Sequence, residues 1–485
     1  MIKVELNPKL KKMLILIFSI AFASSLFCMT FFAQKIIYKN ILSDIIHVSG
    51  SFEYYREIIL NFSFTFSVAF AIILLFVSKC ESFTLKSSTF FALAVFASFL
   101  ITQPLFMLNR WQTGIGDGSY DFGDMFKACA ASINMGEDIC PPSSMLIYQV
   151  MRNTFPGIKD AGLDDYFTMI TSLTAGYYIQ LFFIFSIAPL VILSFIAIDG
   201  TNAQKAFFAF SIMLARPIMI GFERGNSIMA TLAFVMFFCL CYRSKNPFIH
   251  ELALIALAIA FALKIYTAIF GILLLKDRNF KSSVRCAIYA VFLFVFPALC
   301  HRDGFIESFK LYIDALNGYM SNLDFGLEAA QLSLKRIATL FVIAFNIPNL
   351  LSIIYPIFMI IMIAIFAILI FLSKKTWHTL LACSLATIVI PSLSWPYTAA
   401  FLLIPLISVL NEKQKNYFDY ASILCILWIF MFVYYDFFSF TRIIFKLNNW
   451  WIPMMIMLIL ALTDILLTLK TARINKIIHA KGANS

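Results

Sequence analysis

The sequence predicts an all-α fold, that of a polytopic helical membrane protein, and two observations support this. Hydrophobic residues make up 61% of the 485 residues and charged residues only 13%, far from the balance of a water-soluble domain. Apolar runs long enough for a helix to cross about 30 Å of hydrocarbon recur along the chain. We count about fourteen spans, within a range of about twelve to fourteen. They begin near residues 13, 60, 88, 177, 206, 227, 249, 266, 286, 350, 377, 398, 420 and 450.

The predicted pair of spans at residues 249–275 is interrupted by Lys264. Three arrangements would satisfy the backbone hydrogen bonds around this lysine: two short spans, a broken helix or a re-entrant hairpin. The sequence alone leaves all three open.

Lysine and arginine residues predict the orientation of the spans. If the N-terminus is cytoplasmic, basic residues concentrate in short inner loops, as the positive-inside rule expects, and the C-terminus is cytoplasmic too. The net charge of +11 then reflects topology and attraction to anionic headgroups, and no nucleic-acid partner is expected. We expect an integral protein of the bacterial cytoplasmic (inner) membrane, with its active site extracytoplasmic.

Residues 1–485 are predicted to form a single integral-membrane domain. Its major extracytoplasmic loops are predicted at 109–166 and 301–336, and function is expected there. No internal repeat of the kind that marks many transporters is evident. Cys129 and Cys140 share the first loop, where they could form a disulfide in an oxidising space or stay as thiols.

The loop 109–166 is rich in carboxylates, with Asp117, Asp121 and Asp124 close together. The structural explanation is that aspartate favours turns and caps helix N-termini. The alternative is a general base. If a helix begins near Phe122, Asp121 and Asp124 lie on about the same face, and their repulsion could raise one pKa.

Two further charged clusters are predicted at the same outer level of the membrane. One is the stretch 223–226, Glu-Arg-Gly-Asn, with Arg216 about two turns earlier; the other is centred on Lys264. The planar fork of Arg224 suits phosphate oxygens, whereas a Glu223–Arg224 ion pair or a snorkelling arginine would be purely structural. Lys264 either rises to the interface or meets an anion.

Several aromatic residues fall near predicted outer boundaries. An interfacial aromatic belt is the ordinary explanation, and stacking on a carbohydrate by Trp395 or Trp111 is the alternative. The residues are Trp111, Trp395, Tyr397, Trp450 and Trp451.

Together the three charged clusters resemble the membrane glycosyltransferases of family 87, which are GT-C-type enzymes. The stretch DFGDMFKACAA at 121–131, followed by Gly136, is similar to the Asp-Phe, aromatic, Ala-Ala, Gly pattern of an outer loop in that family. The stretch 223–226, and the stretch 262–266 followed by LLKDR at 274–278, are similar to two further family blocks in the same order. The resemblance covers about residues 88–290.

The sequence departs from the family pattern in three ways. The acidic loop follows the third span and not the first, so residues 1–87 would form an N-terminal two-span extension. The tyrosine-rich stretch of the family is reduced to Met125 and Phe126, and Thr267 stands where proline is common.

The resemblance implies transfer of a sugar from a polyprenyl-phosphate carrier to an acceptor hydroxyl outside the cytoplasm, with inversion. We expect a hexose, glucose or mannose, and a cell-envelope glycan acceptor such as O-antigen. Asp121 would be the general base, with Asp124 or Asp117 as substitutes. The expected donor-phosphate residues are Arg224, Lys264, Glu223 and Arg216, and the expected substrate contacts are Tyr266, Asn226, Trp111 and Trp395.

No cofactor is required by this chemistry, although two nearby carboxylates could hold Mg²⁺ or Mn²⁺. The rival function is a polysaccharide polymerase, or a flippase or transporter for lipid-linked oligosaccharides. A flippase would need no outer carboxylate, and it would move a glycolipid without changing the mass of its glycan.

Overall fold

The fold was obtained as a computed structural model. The structure describes residues 2–5, 82–112, 123–131, 141–154, 173–300, 304–321, 331–392, 394–431 and 442–482, with short pieces of the first predicted span. The chain divides into two compact units. The first is Met1–Asp117 with Met431–Phe437, and the second is Gly118–Phe430 with Phe438–Ser485.

The first unit holds strand β1 (Ile2–Glu5), strand β2 (Ser82–Leu85) and helix α1 (Ser87–Gln112). The strands are antiparallel, with Ile2 opposite Leu85 and Glu5 opposite Ser82. Apolar and charged residues alternate in the first strand, which is the period of two that a strand requires. Within the described residues this pair is the departure from the all-α prediction.

The second unit is helical. Its helices are α2 (Gly123–Ala131), α3 (Pro142–Asn153), α4 (Leu173–Phe182), α5 (Ala188–Ala197), α6 (Asn202–Met213), α7 (Arg216–Glu223), α8 (Ile228–Cys241), α9 (Pro247–Leu263), α10 (Ile272–Lys276), α11 (Phe280–Leu299), α12 (Phe305–Ser321), α13 (Leu334–Ala344), α14 (Leu351–Leu372), α15 (Thr376–Val389), α16 (Leu403–Asn411), α17 (Tyr417–Phe430) and α18 (Arg442–Gly482). A π-helical turn, Phe183–Ile187, joins α4 to α5. Short 3₁₀ helices cover Ile265–Gly271, Pro348–Leu350 and Pro396–Leu402.

Each predicted span from residue 88 onward coincides with a helix, so the helical membrane class is confirmed. By length and composition, four described segments can cross a membrane alone: Thr174–Ala197, Phe280–Leu299, Leu351–Leu372 and Trp450–Thr471. Helices α6 and α7 make a fifth if their 56° bend lies within one span. The other apolar helices are shorter, and the first two predicted spans fall mostly outside the described residues. The count of fourteen and the orientation of the termini therefore remain predictions.

The surface of α14 shows why a membrane is needed. Large apolar side chains point outward along the helix, with Ile360 67% and Ile353 57% exposed. Phe371 near the other end is also exposed. In water such a continuous apolar face would be costly, whereas hydrocarbon is its natural surrounding.

The chain reverses direction at Lys264. Helix α9 ends there in extended backbone with φ −146° and ψ 101°, and the 3₁₀ helix that follows leads into α10. A Cβ atom added to Gly271 would lie 3.8 Å from Cδ2 of Leu257, and both residues are seven positions from the lysine. The structure therefore favours a hairpin with Lys264 at its tip over a helix that breaks and continues.

An ion pair closes the opposite end of this hairpin. Arg243, just after α8, donates from Nε and Nη2 to the two carboxylate oxygens of Asp277 at 2.5 and 2.6 Å. These hydrogen bonds lower the pKa of Asp277 below its ordinary value. The bond therefore holds at neutral pH and is lost as acid protonates the carboxylate.

Two helices of the second unit end in the same hydrogen-bonded turn. After α7, the amides of Gly225 and Asn226 donate to the carbonyls of Phe222 and Gly221, and Gly225 has φ +62°. This is a Schellman motif, in which glycine suits the left-handed residue. The side-chain oxygen of Asn226 then accepts from the amide of Ile228 at 3.0 Å at the start of α8.

After α10 the left-handed position of the same turn is taken by a non-glycine residue. The amides of Arg278 and Asn279 donate to Leu275 and Leu274, and Arg278 has φ +57°. Asn279 caps α11 by accepting from the amide of Ser282 at 3.2 Å. An L-residue with a Cβ atom is strained in this conformation.

We expect Arg278→Gly to stabilise the protein by about 1 kcal/mol, because glycine adopts the left-handed conformation without the Cβ penalty. Thermal unfolding of the detergent-purified protein measures the change. Arg278→Ala removes the charge but keeps the strain, so it should bring no gain. Equal effects of the two substitutions would show that charge, and not backbone conformation, sets the stability of this turn.

Candidate active site

Arg224 lies over two aromatic rings from a distant part of the chain. Its guanidinium carbon is 5.5 Å from the centroid of the Trp395 ring and 5.8 Å from that of Tyr397. Such contacts hold a cation in place through the ring quadrupole. Arg224 and Trp395 were both predicted as site residues from the sequence, and the structure brings them together.

Gly221 allows α7 to approach the segment that carries these rings. A Cβ atom at this position would overlap the terminal methyl of Met229 and lie 3.3 Å from Cβ of Tyr397. A larger residue would have to displace the end of Met229 and press against Tyr397, so glycine favours the close contact. Since Arg224 follows Gly221 by three residues, it lies on nearly the same face of the helix, above the rings.

A second arginine, at the other end of α7, contacts a second tryptophan. The guanidinium carbon of Arg216 is 4.9 Å from the ring centroid of Trp450 in α18. Trp450 is buried. The helical rise puts the Cα atoms of Arg216 and Arg224 about 12 Å apart along α7. Each of these two arginines lies over an indole ring.

Lys264 and Trp395 occupy equivalent backbone positions. Each is in extended backbone immediately before a 3₁₀ helix that runs into an α-helix, α10 or α16. In each case the threonine three residues later donates hydrogen bonds to the carbonyl of that residue. Thr267 donates from its amide and hydroxyl to the carbonyl of Lys264 at 3.0 and 2.9 Å, and Thr398 does the same to Trp395 at 2.9 and 2.7 Å.

The sequence contains this duplication, which our sequence analysis missed. Residues 266–270 are YTAIF and residues 397–401 are YTAAF. The repeat is far shorter than the inverted repeats of transporters, so it does not support a transporter function. It is the signal that could have pointed to Tyr397 as a partner of the site beside Tyr266.

The two breaks lie at the same end of paired segments. The rings of Phe270 and Phe401 are 6.1 Å apart, and each follows its break by six residues. Both segments then run toward the start of α15. Lys276 Nζ donates to Oγ1 of Thr379 at 2.6 Å, and Asn411 lines a cavity with Thr376. Lys264 and Trp395 are therefore at one level, opposite the start of α15.

In the described part of the predicted loop 109–166, helices α2 and α3 pack against each other and against α4. Arg152 of α3 is buried and donates from Nη1 to the carbonyl of Cys129 at 3.4 Å. Ser144 of α3 donates to the carbonyl of Leu263 at 3.3 Å. This contact brings the loop next to Lys264. Cys129 is buried, and Cys140, its possible disulfide partner, lies outside the described residues.

The predicted carboxylates are only partly covered by the structure. A helix begins at Gly123, which agrees with the start expected near Phe122. Asp124 is in its first turn, although its side chain lies outside the described part, as does the side chain of Trp111 in α1. Asp117 and Asp121 lie outside the described residues altogether. Their catalytic roles remain predictions.

The other predicted residues surround the two breaks. Glu223 is the last residue of α7, and Tyr266 follows Lys264 at the hairpin tip. Asn226 is buried and its side-chain oxygen is used in the cap of α8. That hydrogen bond gives Asn226 a structural role, and its predicted contact with substrate is untested.

The second predicted outer loop also reaches the site. The amide of Leu332 donates to the carbonyl of Ser394, next to Trp395, at 2.6 Å. Leu332 and Ser333 are buried there, and Arg336 follows in the first turn of α13. The sequence analysis did not select Arg336, because no motif distinguishes it from other basic residues.

Comparison with known proteins gives one match, in the central part of the chain. The model of Glycosyltransferase family 87 matches residues 166–396, which confirms the resemblance inferred from the charged clusters. The matched region includes Arg224, Lys264 and Trp395 and begins after the acidic stretch at 117–124. No curated protein and no solved structure matches the chain.

We expect Gly221→Ala to destabilise the protein by about 1 kcal/mol, because the added methyl overpacks the contact with Met229 and Tyr397. Gly271→Ala is the matched control, since its Cβ meets only an ordinary contact and alanine is favoured over glycine in helices by about 0.5–1 kcal/mol. The control should be neutral or stabilising. Thermal unfolding compares them, and shifts of the same sign would show that α7 is not packed as described.

Proposed function

We propose that this membrane protein is a glycosyltransferase that moves a hexose from a polyprenyl-phosphate carrier to a cell-envelope glycan. The match of residues 166–396 to the model of glycosyltransferase family 87 supports the proposal. The donor would be bound on the extracytoplasmic face, and O-antigen is the type of acceptor that we favour. Glucose and mannose remain equal candidates for the sugar. The reaction would invert the anomeric centre, as in GT-C-type enzymes.

The observation that supports this proposal most is Arg224 held over Trp395 and Tyr397. The quadrupoles of the two rings attract the guanidinium group and hold it at this position. A planar set of donors suits two oxygens of a phosphate group. Aromatic rings at the same place suit the apolar faces of a sugar or the first carbons of a prenyl chain.

The remaining parts of the reaction fall to residues around the same level. A lipid phosphate is a good leaving group, so the protein must mainly stabilise its developing charge and remove a proton from the acceptor. Lys264 at the hairpin tip and Arg216 would supply further positive charge, and Glu223 would orient Arg224. Asp121 would accept the proton, and Asp124 and Asp117 are the alternative candidates for this role.

We expect Arg224→Lys to impair transfer and Arg224→Ala to impair it more, by roughly 2–4 kcal/mol of transition-state stabilisation. Lysine keeps the charge but lacks the bidentate fork. The matched control is Arg243→Lys, because Arg243 also lies on an aromatic ring, 5.1 Å from the centroid of Tyr242, but at the opposite end of the hairpin. Its transfer activity should be unchanged.

The measurement is transfer from, and binding of, a polyprenyl-phosphate hexose by purified, folded protein. Donor affinity and turnover that are unchanged in both Arg224 variants would place the phosphate site elsewhere. A loss of thermal stability with normal specific activity would mean that Arg224 only supports the fold.

We expect Asp121→Asn to lower transfer by about 10²- to 10⁴-fold, because asparagine keeps the size and hydrogen bonding of aspartate but cannot act as a base. Asp124→Asn and Asp117→Asn should cost less. Donor binding should persist in all three, which separates the base from the phosphate site. Wild-type rates in all three variants would end the general-base hypothesis.

A further inference from the structure

A second polar cluster lies where the start of α15 meets α17 and α18. Asp419 is fully buried, and its carboxylate oxygens are 2.7 and 2.9 Å from Nζ of Lys375. Oδ2 of Asp464 lies 2.9 Å from the same nitrogen. Helix α15 is about 21 Å long at the usual helical rise, so it separates this cluster from Trp395. The proposed transfer reaction uses none of these groups.

His378 points into the cluster and is 1% exposed. Its Nδ1 is 2.7 Å from Oγ of Ser373, and that hydroxyl lies 3.3 Å from the carbonyl of Lys375, to which it donates. In the tautomer in which this hydroxyl accepts from Nδ1–H, the neutral ring keeps a lone pair on Nε2. Among the described residues, Nε2 has no hydrogen-bond partner.

Nε2 of His378 faces a carboxylate oxygen. Nε2 is 3.5 Å from Oδ2 of Asp464, beyond the roughly 3.2 Å limit of a good N–H···O bond. Two ligands that are each about 2.1 Å from a tetrahedral metal ion lie about 3.4 Å apart. The separation therefore suits a shared metal ion better than a shared proton.

We propose that His378, Asp419 and Asp464 form a binding site for one divalent cation of the zinc class, in exchange for the ammonium group of Lys375. The ligand atoms of the three residues all lie within 4.8 Å of one another. One imidazole nitrogen and two carboxylates are a ligand set that zinc accepts, with a fourth position open to water.

The surrounding hydrogen bonds already hold the ligands in position. Trp377 Nε1 donates to Oδ1 of Asp419 at 3.0 Å, and the amide of Asn416 donates to Oδ2 at 2.8 Å. Nδ2 of Asn416 donates to Oδ1 of Asp464 at 2.8 Å. Ser373 holds the histidine ring. Partners of this kind orient metal ligands and fix the histidine tautomer.

Lys375 is the exchangeable member of the cluster. Its side chain is 27% exposed, whereas those of Asp419 and Asp464 are 0% and 8% exposed. The ammonium group can therefore move into water while the carboxylates stay. Two carboxylates and one lysine carry a net charge of −1, and replacing the lysine by a divalent ion makes the site neutral, which favours the buried state.

The test uses full-length protein purified without a polyhistidine tag and titrated with Co²⁺, whose visible spectrum reports tetrahedral ligands. Lys375→Gln removes the competing cation, so one Co²⁺ per chain should bind about tenfold or more tightly than to wild type. Adding His378→Ala to Lys375→Gln should abolish the tetrahedral bands. Spectra without metal-dependent bands in Lys375→Gln would overturn the proposal.

Lys375→Gln leaves two buried carboxylates without a counter-ion, so a second comparison covers the case in which it does not fold. His378→Ala keeps the lysine with both aspartates. Zn²⁺ should raise the melting temperature of wild type but not that of His378→Ala. Equal shifts, or none in either protein, would show that the cluster is only a structural ion pair network.

Discussion

A backbone carbonyl that leaves a helix in an apolar surrounding has no water to donate to it, and the candidate site depends on how this protein meets that constraint. At Lys264 and at Trp395 a threonine three residues later supplies both an amide and a hydroxyl to the freed carbonyl. One residue can then stand in extended backbone before the chain enters a 3₁₀ helix. Lys264 and Trp395 lie at the same level because each is followed by the same threonine-capped turn.

Close packing turns these two breaks into a site. Gly221 lets α7 approach Tyr397, and the Schellman turn at Gly225 ends the helix directly after Arg224. The guanidinium group is therefore held at the edge of the helix, above the rings of Trp395 and Tyr397. The glycines in this stretch serve backbone geometry, while the arginine carries the chemistry that we propose.

The helices were largely predictable from the sequence. An apolar run shows where a span lies, and its length shows whether a helix can cross the membrane there. The hairpin at Lys264 could only be narrowed to three alternatives, since the charge marks a break but not the direction of the chain after it. The contact of Arg224 with Trp395 joins residues far apart in sequence, and nothing in local pattern predicts such a contact. The YTA repeat at 266 and 397 is visible in the sequence. That both copies follow a helical break with the same backbone geometry is seen only in the structure.

Carboxylates and aromatic rings both hold arginine residues in this bundle. At the end opposite the breaks, Arg243 is fixed by two hydrogen bonds to Asp277, and Arg285 pairs with Glu251 at 2.5 Å. A carboxylate engaged in this way satisfies the same in-plane donors that a phosphate would use. Arg216 and Arg224 also lie over aromatic rings, those of Trp450 and Trp395. The ring quadrupole attracts the guanidinium group, and at Arg224 this contact ties a cation to the segment that carries the second helical break.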